Sequence, residues 1–158
     1  CPCDALLMPF ITSANIACGG HAGDETTMMA TVALARQHGV AIGAHPGHVD
    51  REHFGRRELA ITPEAAGLLV VEQVSRLERL AAETPRHVKL HGGLYHQVAR
   101  DRPLADAVSE AIAKRWPAMT LLAPPGSLLV NVAQGHGLRV VVEAFVDRAY
   151  AADGTLLP

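Results

Sequence analysis

VAIGAHPG, residues 40–47, is the stretch that decides how this chain is expected to fold. Its apolar residues 40–44 form a short run typical of a buried strand, and His45, a proline and a glycine follow at once. The arrangement recurs, because His21 follows the apolar run 10–18 and a glycine pair, and His91 follows the run 87–90. A helical pattern comes after each run, which predicts strand–helix units with a parallel sheet and right-handed crossovers.

The same reading extends along the whole chain. Strands are predicted at residues 10–18, 40–44, 87–90, 119–123 and 139–146, with no linker between them. Helices are predicted from the Asp24 cap to Gly39, from Thr62 to about Glu83, over about 103–115, and from the Ser127 cap to Gly135 or Gly137. A closed barrel of such units needs about 250 residues. We therefore expect residues 1–158 to form a single α/β domain that is part of a parallel β/α barrel.

Composition bounds the function classes. The 158 residues are 49% apolar with a formal net charge of −2, which fits a globular domain with a sizeable core and argues against nucleic acid as a partner. No apolar stretch approaches the roughly 18 residues of a membrane span, and no signal-peptide pattern opens the chain. Three cysteines do not make a disulfide framework. The expected location is the cytoplasm, away from membranes.

The predicted strand ends contain more polar side chains than a hydrophobic core would. In a parallel sheet or barrel these ends face the same way, so His21, His45 and His91 are expected to meet in one pocket. Further polar residues occupy the same positions of the pattern: Asn15, Asp24, Lys89, Glu143 and Asp147. The alternative is a purely structural role: a capped turn at Asp24, with solvent-facing histidines that bind loop carbonyls.

Lys89 and His91 give the strongest single signal. They lie on the same side of a strand because side chains alternate, and an inward lysine needs an acid or an anionic ligand. Glu143 interrupts the apolar run RVVVEAFV and is placed to pair with Lys89. A surface edge strand or a structural ion pair are the alternatives. Arg56 and Arg57 fit either a bidentate anion clamp or a solvated loop pair.

Five blocks resemble the LamB/YcsF family, whose members are the A component of a bacterial ATP-dependent 5-oxoprolinase. They are TSANIACGGHAGD (12–24), HGVAIGAHPG (38–47), FGRRELAITPEA (54–65), HVKLHGGLYH (87–96) and VVVEAFVDRAYAADGTLLP (140–158). Family members usually begin with an acidic DLNxDxGE strand and continue past the LxP segment. The chain is therefore expected to lack a first strand and C-terminal units. Gly20 also stands where many members have phenylalanine.

The resemblance implies an incomplete or distorted parallel β/α barrel of the glycoside hydrolase/deacetylase-like kind. It implies that 5-oxo-L-proline, ATP and two waters give L-glutamate, ADP and phosphate, with ATP as co-substrate and subunits B and C as partners. No metal ligand is predicted. On this interpretation the catalytic residues are His21, His45, His91, Asp24, Lys89 and Glu143, and the substrate-binding residues are Asn15, Arg56, Tyr95, Asp147 and Arg148.

Two other functions stay open. The three histidines with a carboxylate could hold Zn²⁺ in a metal-dependent, polysaccharide deacetylase-like amidohydrolase. A non-catalytic subunit that binds a metabolite or carbohydrate would show ligand binding without turnover. The sequence carries no phosphate-binding loop, dinucleotide fingerprint, nucleophile elbow or HExxH motif.

Overall fold

The computed structural model describes residues 2–151 and contains strands that alternate with helices. The strands are β1 (Ser13–Ala17), β2 (Ala41–His45), β3 (His87–Lys89), β4 (Thr120–Ala123) and β5 (Arg139–Val142). The helices are α1 (Pro2–Leu7), α2 (Glu25–Gln37), α3 (Pro63–Ala81), α4 (Gly92–Arg100), α5 (Arg102–Arg115) and α6 (Leu128–Gly135), with a 3-10 turn at Met8–Phe10.

All five strands run parallel, in the spatial order β1-β2-β3-β4-β5. Each crossover contains at least one helix, as parallel neighbours require. The sheet does not close on itself, and within residues 2–151 β1 and β5 each pair on one side only. The predicted α/β class with an open, barrel-like parallel sheet is confirmed. Among these residues no helix combines the length and the apolar character needed to cross a bilayer.

The core lies between the sheet and its helices, with α3 and α5 at its centre. Val74 and Leu77 of α3 and Ile112 of α5 are fully buried, as are Val88 of β3 and Leu121 of β4. Burying side chains of this size contributes about 1.5–3 kcal/mol each. This packed layer fixes the strands, so the loops at their carboxyl ends rest on a rigid base.

Two predicted strands are longer than the observed ones. The prediction of 10–18 was wrong at its start, because residues 8–10 form the 3-10 turn. The prediction of 139–146 was wrong at its end. Glu143 still donates its backbone N–H to the Ala123 carbonyl at 3.1 Å, and then the chain turns. β5 has one neighbouring strand among the described residues, so little holds residues 144–146 extended.

Two helices were not predicted. α1 precedes the first strand, and α4 occupies residues 92–100, where the sequence pattern predicts no helix. α4 begins with Gly92 and Gly93, which are poor helix formers. A Cβ on Gly93 would lie 2.1 Å from the Arg57 carbonyl oxygen, so close backbone packing explains the glycine. Ser127 occupies the predicted N-cap position of α6, but its hydroxyl donates to the Pro124 carbonyl at 2.9 Å and makes no capping hydrogen bond to the helix.

Candidate active site

Three histidines from three strand–helix connections form one cluster. His21 lies in the glycine turn after β1, His45 ends β2, and His91 follows β3 at the start of α4. Each offers a ring nitrogen, and these nitrogens lie within 4.8 Å of one another. The rings of His21 and His91 stack with centroids 3.7 Å apart, and His45 meets His91 edge-on at 4.8 Å. The structure thus brings together the three imidazoles that the sequence placed at strand ends.

Backbone carbonyls orient two of these rings. His45 donates from Nδ1 to the Lys89 carbonyl at 2.7 Å, and His91 donates from Nε2 to the Phe54 carbonyl at 2.7 Å. A carbonyl oxygen only accepts, so the contact assigns the proton to the nitrogen that faces it. The inward nitrogens, Nε2 of His45 and Nδ1 of His91, lie 3.0 Å apart.

Burial keeps the cluster uncharged near neutral pH. Desolvation, reinforced by the neighbouring imidazoles, lowers the pKa of His21 to about 3. Desolvation also lowers the pKa of His45 to about 4, against the opposing hydrogen bond to the Lys89 carbonyl. The pKa of His91 is lowered by the same cause. Neutral imidazoles retain a lone pair, so the cluster can accept a proton or bind an electrophile.

The loop after β2 covers the cluster from one side. Gly55 has φ +65°, and a Cβ there would lie 2.6 Å from the Cβ of His21 and 3.1 Å from Cδ2 of His91. Gly47 is equally close, because its Cβ would meet Nδ1 of His21 at 2.9 Å. Glycine is required where backbone approaches a side chain this closely. The loop therefore excludes water from one face of the imidazoles.

Buried polar side chains hold this loop in place. Asp50, 5% exposed, accepts a bidentate ion pair from Arg57 at 2.7 and 3.0 Å, and this contact lowers the pKa of Asp50. Buried His48 bonds to Gln97 of α4 at 2.5 Å. Gln73 of α3 accepts from the Gly47 N–H and donates to the Gly47 carbonyl, at 3.1 and 2.7 Å. Arg57 is thus committed to Asp50.

An ion pair lies beside the histidine cluster. Lys89 Nζ is 2.7 Å from Oε2 of Glu143, with side chains 13% and 15% exposed. The ammonium also lies 4.3 Å from the ring centroid of Phe145 and 5.8 Å from that of Tyr95. This arrangement is the predicted pairing of the inward lysine with an acid.

Two buried polar atoms near this pair have no hydrogen-bond partner within the described part of the chain: Oε1 of Glu143 and the hydroxyl of Tyr95. Burial, and then the nearby Glu143 carboxylate, raise the pKa of Tyr95 above its usual range. An unsatisfied buried polar group costs about 1–3 kcal/mol. The Tyr95 hydroxyl and the Glu143 carboxylate therefore lie close together, both buried beside Lys89.

A cleft of about 410 Å³ lies beside the histidine cluster and Lys89, and its size suits a small metabolite. Its lining includes His45, His91, Lys89, Tyr95, Arg56 and Arg148. The guanidinium of Arg56 lies 5.7 Å from the Phe54 ring centroid, on the exposed side. The cleft therefore combines neutral imidazoles with cationic side chains.

Five predicted site residues are not part of this cleft lining. Two of them, His21 and Glu143, contact the lining residues His91 and Lys89. The other three are Asn15, Asp24 and Asp147. Asp24 is exposed and caps α2, accepting from the Thr27 N–H at 2.8 Å; this bond lowers its pKa. Asn15 accepts a hydrogen bond from Nε2 of His87 at 2.9 Å. Asp147 is exposed in the turn after β5. Asn15 and Asp24 line a larger cleft of about 660 Å³ beside α1, which does not include the three histidines.

Sequence reasoning missed the residues that support the cluster. Gln73 lies on an apolar helix face, where the pattern predicts core, and His48 lies in the polar loop after β2 but is 2% exposed. Phe54 contributes through its carbonyl, which no side-chain pattern reveals. Gly43 of β2 is the exception, because a glycine inside a strand indicates close approach by another group and could have been recognised from the sequence.

Comparisons with known proteins show the family to which this chain belongs. The profile of the LamB/YcsF family matches residues 1–158. The 5-oxoprolinase A subunit of Symbiobacterium thermophilum is 49% identical over 158 residues, covering 98% of this chain and 60% of that protein. The 5-oxoprolinase A subunit of Bordetella pertussis is 48% identical, with coverages of 98% and 63%.

A solved structure is similar along the same length. The crystal structure of the lactam utilization protein from Thermus thermophilus superposes with a TM-score of 0.93 at 42% identity. The match covers 98% of this chain and 64% of that one. The chain thus spans about three-fifths of the length of these relatives. With a family profile matched from end to end and relatives near 48% identity, the chain belongs to the LamB/YcsF family.

Proposed function

We propose that this chain is part of the A component of a 5-oxoprolinase, which hydrolyses 5-oxo-L-proline to L-glutamate with ATP, working with subunits B and C. The observation that carries the proposal is the convergence of His21, His45 and His91. Two of them, His45 and His91, line a small cleft together with Lys89, the ion-pair partner of Glu143. The names of the Symbiobacterium and Bordetella relatives, both 5-oxoprolinase components, support the substrate.

The chemistry of a lactam explains why these residue types suit the reaction. A five-membered lactam is a stabilised amide, so its opening requires coupling to ATP. Phosphorylation of the lactam oxygen turns a poor electrophile into a good one. Water must then lose a proton, the ring nitrogen must gain one, and phosphate charge must be held. A neutral imidazole can accept a hydrogen bond from the attacking water and so orient it for the first task.

The cationic side chains are suited to holding the negative charge of the phosphate. Lys89 is partly desolvated, which strengthens its attraction to a carboxylate or phosphate. Glu143 limits that attraction in the absence of substrate and fixes the ammonium 4.3 Å from Phe145. Tyr95 lines the same cleft. Arg56 and Arg148 complete the cationic rim.

Turnover of 5-oxoproline by the full-length protein tests the proposal, with and without ATP and subunits B and C. We expect glutamate only when all components are present, and a loss of about 10²–10⁴-fold in kcat for His91→Ala. His136→Ala is the matched control, because His136 lies at the end of α6 and contacts Asp106. Full activity of His91→Ala would remove the role of the cluster. Ligand binding without turnover in the complete system would instead support the non-catalytic subunit.

A further inference from the structure

Two ring nitrogens in the cluster face each other with lone pairs. His45 uses its Nδ1 proton on the Lys89 carbonyl, so neutral His45 carries a lone pair on Nε2. His91 uses its Nε2 proton on the Phe54 carbonyl, so neutral His91 carries a lone pair on Nδ1. These two atoms are 3.0 Å apart. Two lone pairs at that separation repel unless a proton or a cation lies with them.

The position of His21 distinguishes a shared proton from a bound cation. A proton shared by His45 and His91 leaves His21 without a part in the arrangement, although Nδ1 of His21 is buried and has no hydrogen-bond partner in residues 2–151. A metal ion instead takes one nitrogen from each of the three residues, whose ligand atoms already lie within 4.8 Å of one another. From this geometry we infer that His21, His45 and His91 bind a divalent transition-metal ion.

The surroundings of the cluster match those of metal-bound imidazoles. A metal-ligating histidine donates its outer N–H to a carbonyl or carboxylate, which fixes the ring and directs the other nitrogen to the ion. His45 and His91 both do so. Three neutral imidazoles without a carboxylate or thiolate favour Zn²⁺, Co²⁺ or Ni²⁺ over Mg²⁺ or Ca²⁺.

Binding requires one adjustment. Ligand nitrogens around a tetrahedral ion lie about 3.3 Å apart, from metal–nitrogen bonds of about 2.0–2.1 Å. The pair His45–His91 already meets this separation, whereas the His21 ring must tilt out of its stack on His91, because a ring nitrogen binds in the plane of its ring. Three protein ligands leave a fourth position for water. That such a water attacks the lactam rests on the proposed function; the binding of the ion does not.

Metal analysis of untagged full-length protein tests the inference, since a polyhistidine tag would itself bind metal. The probes are Zn²⁺ in equilibrium dialysis and Co²⁺ in visible absorption. We expect one equivalent of either ion, with d–d bands of four-coordinate Co²⁺. His45→Gln and His91→Gln should each weaken binding by more than about 100-fold, beyond the usual effect of an outer-shell change. His136→Gln should bind as the unmodified protein does.

Circular dichroism and thermal unfolding show whether each variant is folded. Less than 0.1 equivalent of ion on folded protein, or binding unchanged in both cluster variants, overturns the inference. A nitrogen NMR spectrum with both His91 nitrogens protonated at pH 7 also overturns it, because the proton then fills the gap between the rings. Full turnover by metal-free protein removes only the ion's role in the reaction. Bound metal without turnover of 5-oxoproline contradicts the proposed function and leaves the metal site standing.

Discussion

His87 on β3 donates a hydrogen bond from Nε2 to Oδ1 of Asn15 on β1, 2.9 Å away, although β2 lies between the two strands. The bond passes over Gly43 of β2, which is in register with both residues. An ideal Cβ on Gly43 would lie 1.9 Å from Nε2 of His87. A buried imidazole thus links β1 to β3 across β2 through a side-chain hydrogen bond.

Gly43→Ala should therefore be strongly destabilising. The methyl group takes the place of the His87 ring, so the ring must move and the bond to Asn15 must break. We expect a loss of about 1–3 kcal/mol in the free energy of unfolding, measured by urea denaturation.

Gly135→Ala is the matched control for this substitution. Gly135 ends α6, and a Cβ there would meet nothing within 4 Å. It should be neutral, or stabilising by up to about 1 kcal/mol. Equal stabilities for the two variants would show that His87 does not occupy the space over Gly43.

Gln73→Met should loosen the loop over the cluster while leaving the helix intact. The Gln73 amide satisfies both the N–H and the carbonyl of Gly47, and it is 5% exposed. Methionine fills the volume but leaves both backbone groups unpaired, at about 1–3 kcal/mol each before the loop relaxes. Hydrogen exchange should speed up at residues 46–50. Exposed Gln134→Met is the control, and protection unchanged at Gly47 would contradict the role given to Gln73.

Much of the architecture could be predicted from local patterns. Apolar runs of strand length alternated with capped helical stripes, and parallel connection then required the strand ends to share one edge. That reasoning placed His21, His45 and His91 at one site, and it placed Glu143 opposite Lys89, 2.7 Å apart.

The features that the sequence did not predict depend on tertiary contacts. Local propensity disfavours a helix that begins Gly92-Gly93, and only the loop packed against these glycines explains it. Phe54 binds His91 through its backbone, so the identity of its side chain carries no signal. Asp24 has the same sequence signature as a cap and as a catalytic acid, and the structure shows the cap.

Lys89 and Glu143 should be energetically coupled, and a double-mutant cycle with Lys89→Met and Glu143→Gln measures the coupling. Because both side chains are mostly buried, removing the ammonium alone leaves a carboxylate desolvated and unpaired. We expect a coupling of about 1–3 kcal/mol, with a loss of turnover for Lys89→Met. The control cycle uses Lys114 and Glu110, also 2.7 Å apart but 73% and 52% exposed. Its coupling should stay below about 0.5 kcal/mol, and equal couplings would contradict burial as the cause.

Acid should unfold the metal-free protein through its buried histidines. Burial lowers the pKa of His21 to about 3 and that of His45 to about 4, against 6.5 for an ordinary histidine. The unfolded chain therefore binds protons that the folded protein does not, so stability is fully present above pH 6.5 and falls as the pH drops toward 4. Each histidine contributes a slope of up to about 1.4 kcal/mol per pH unit. Urea denaturation in the presence of a chelator at pH 4.5–7.5 measures this slope. The His21→Gln substitution should reduce the slope by up to about 1.4 kcal/mol per pH unit, which corresponds to one proton. His136→Gln should leave it unchanged, and a His21→Gln profile parallel to that of the unmodified protein would show that His21 titrates normally.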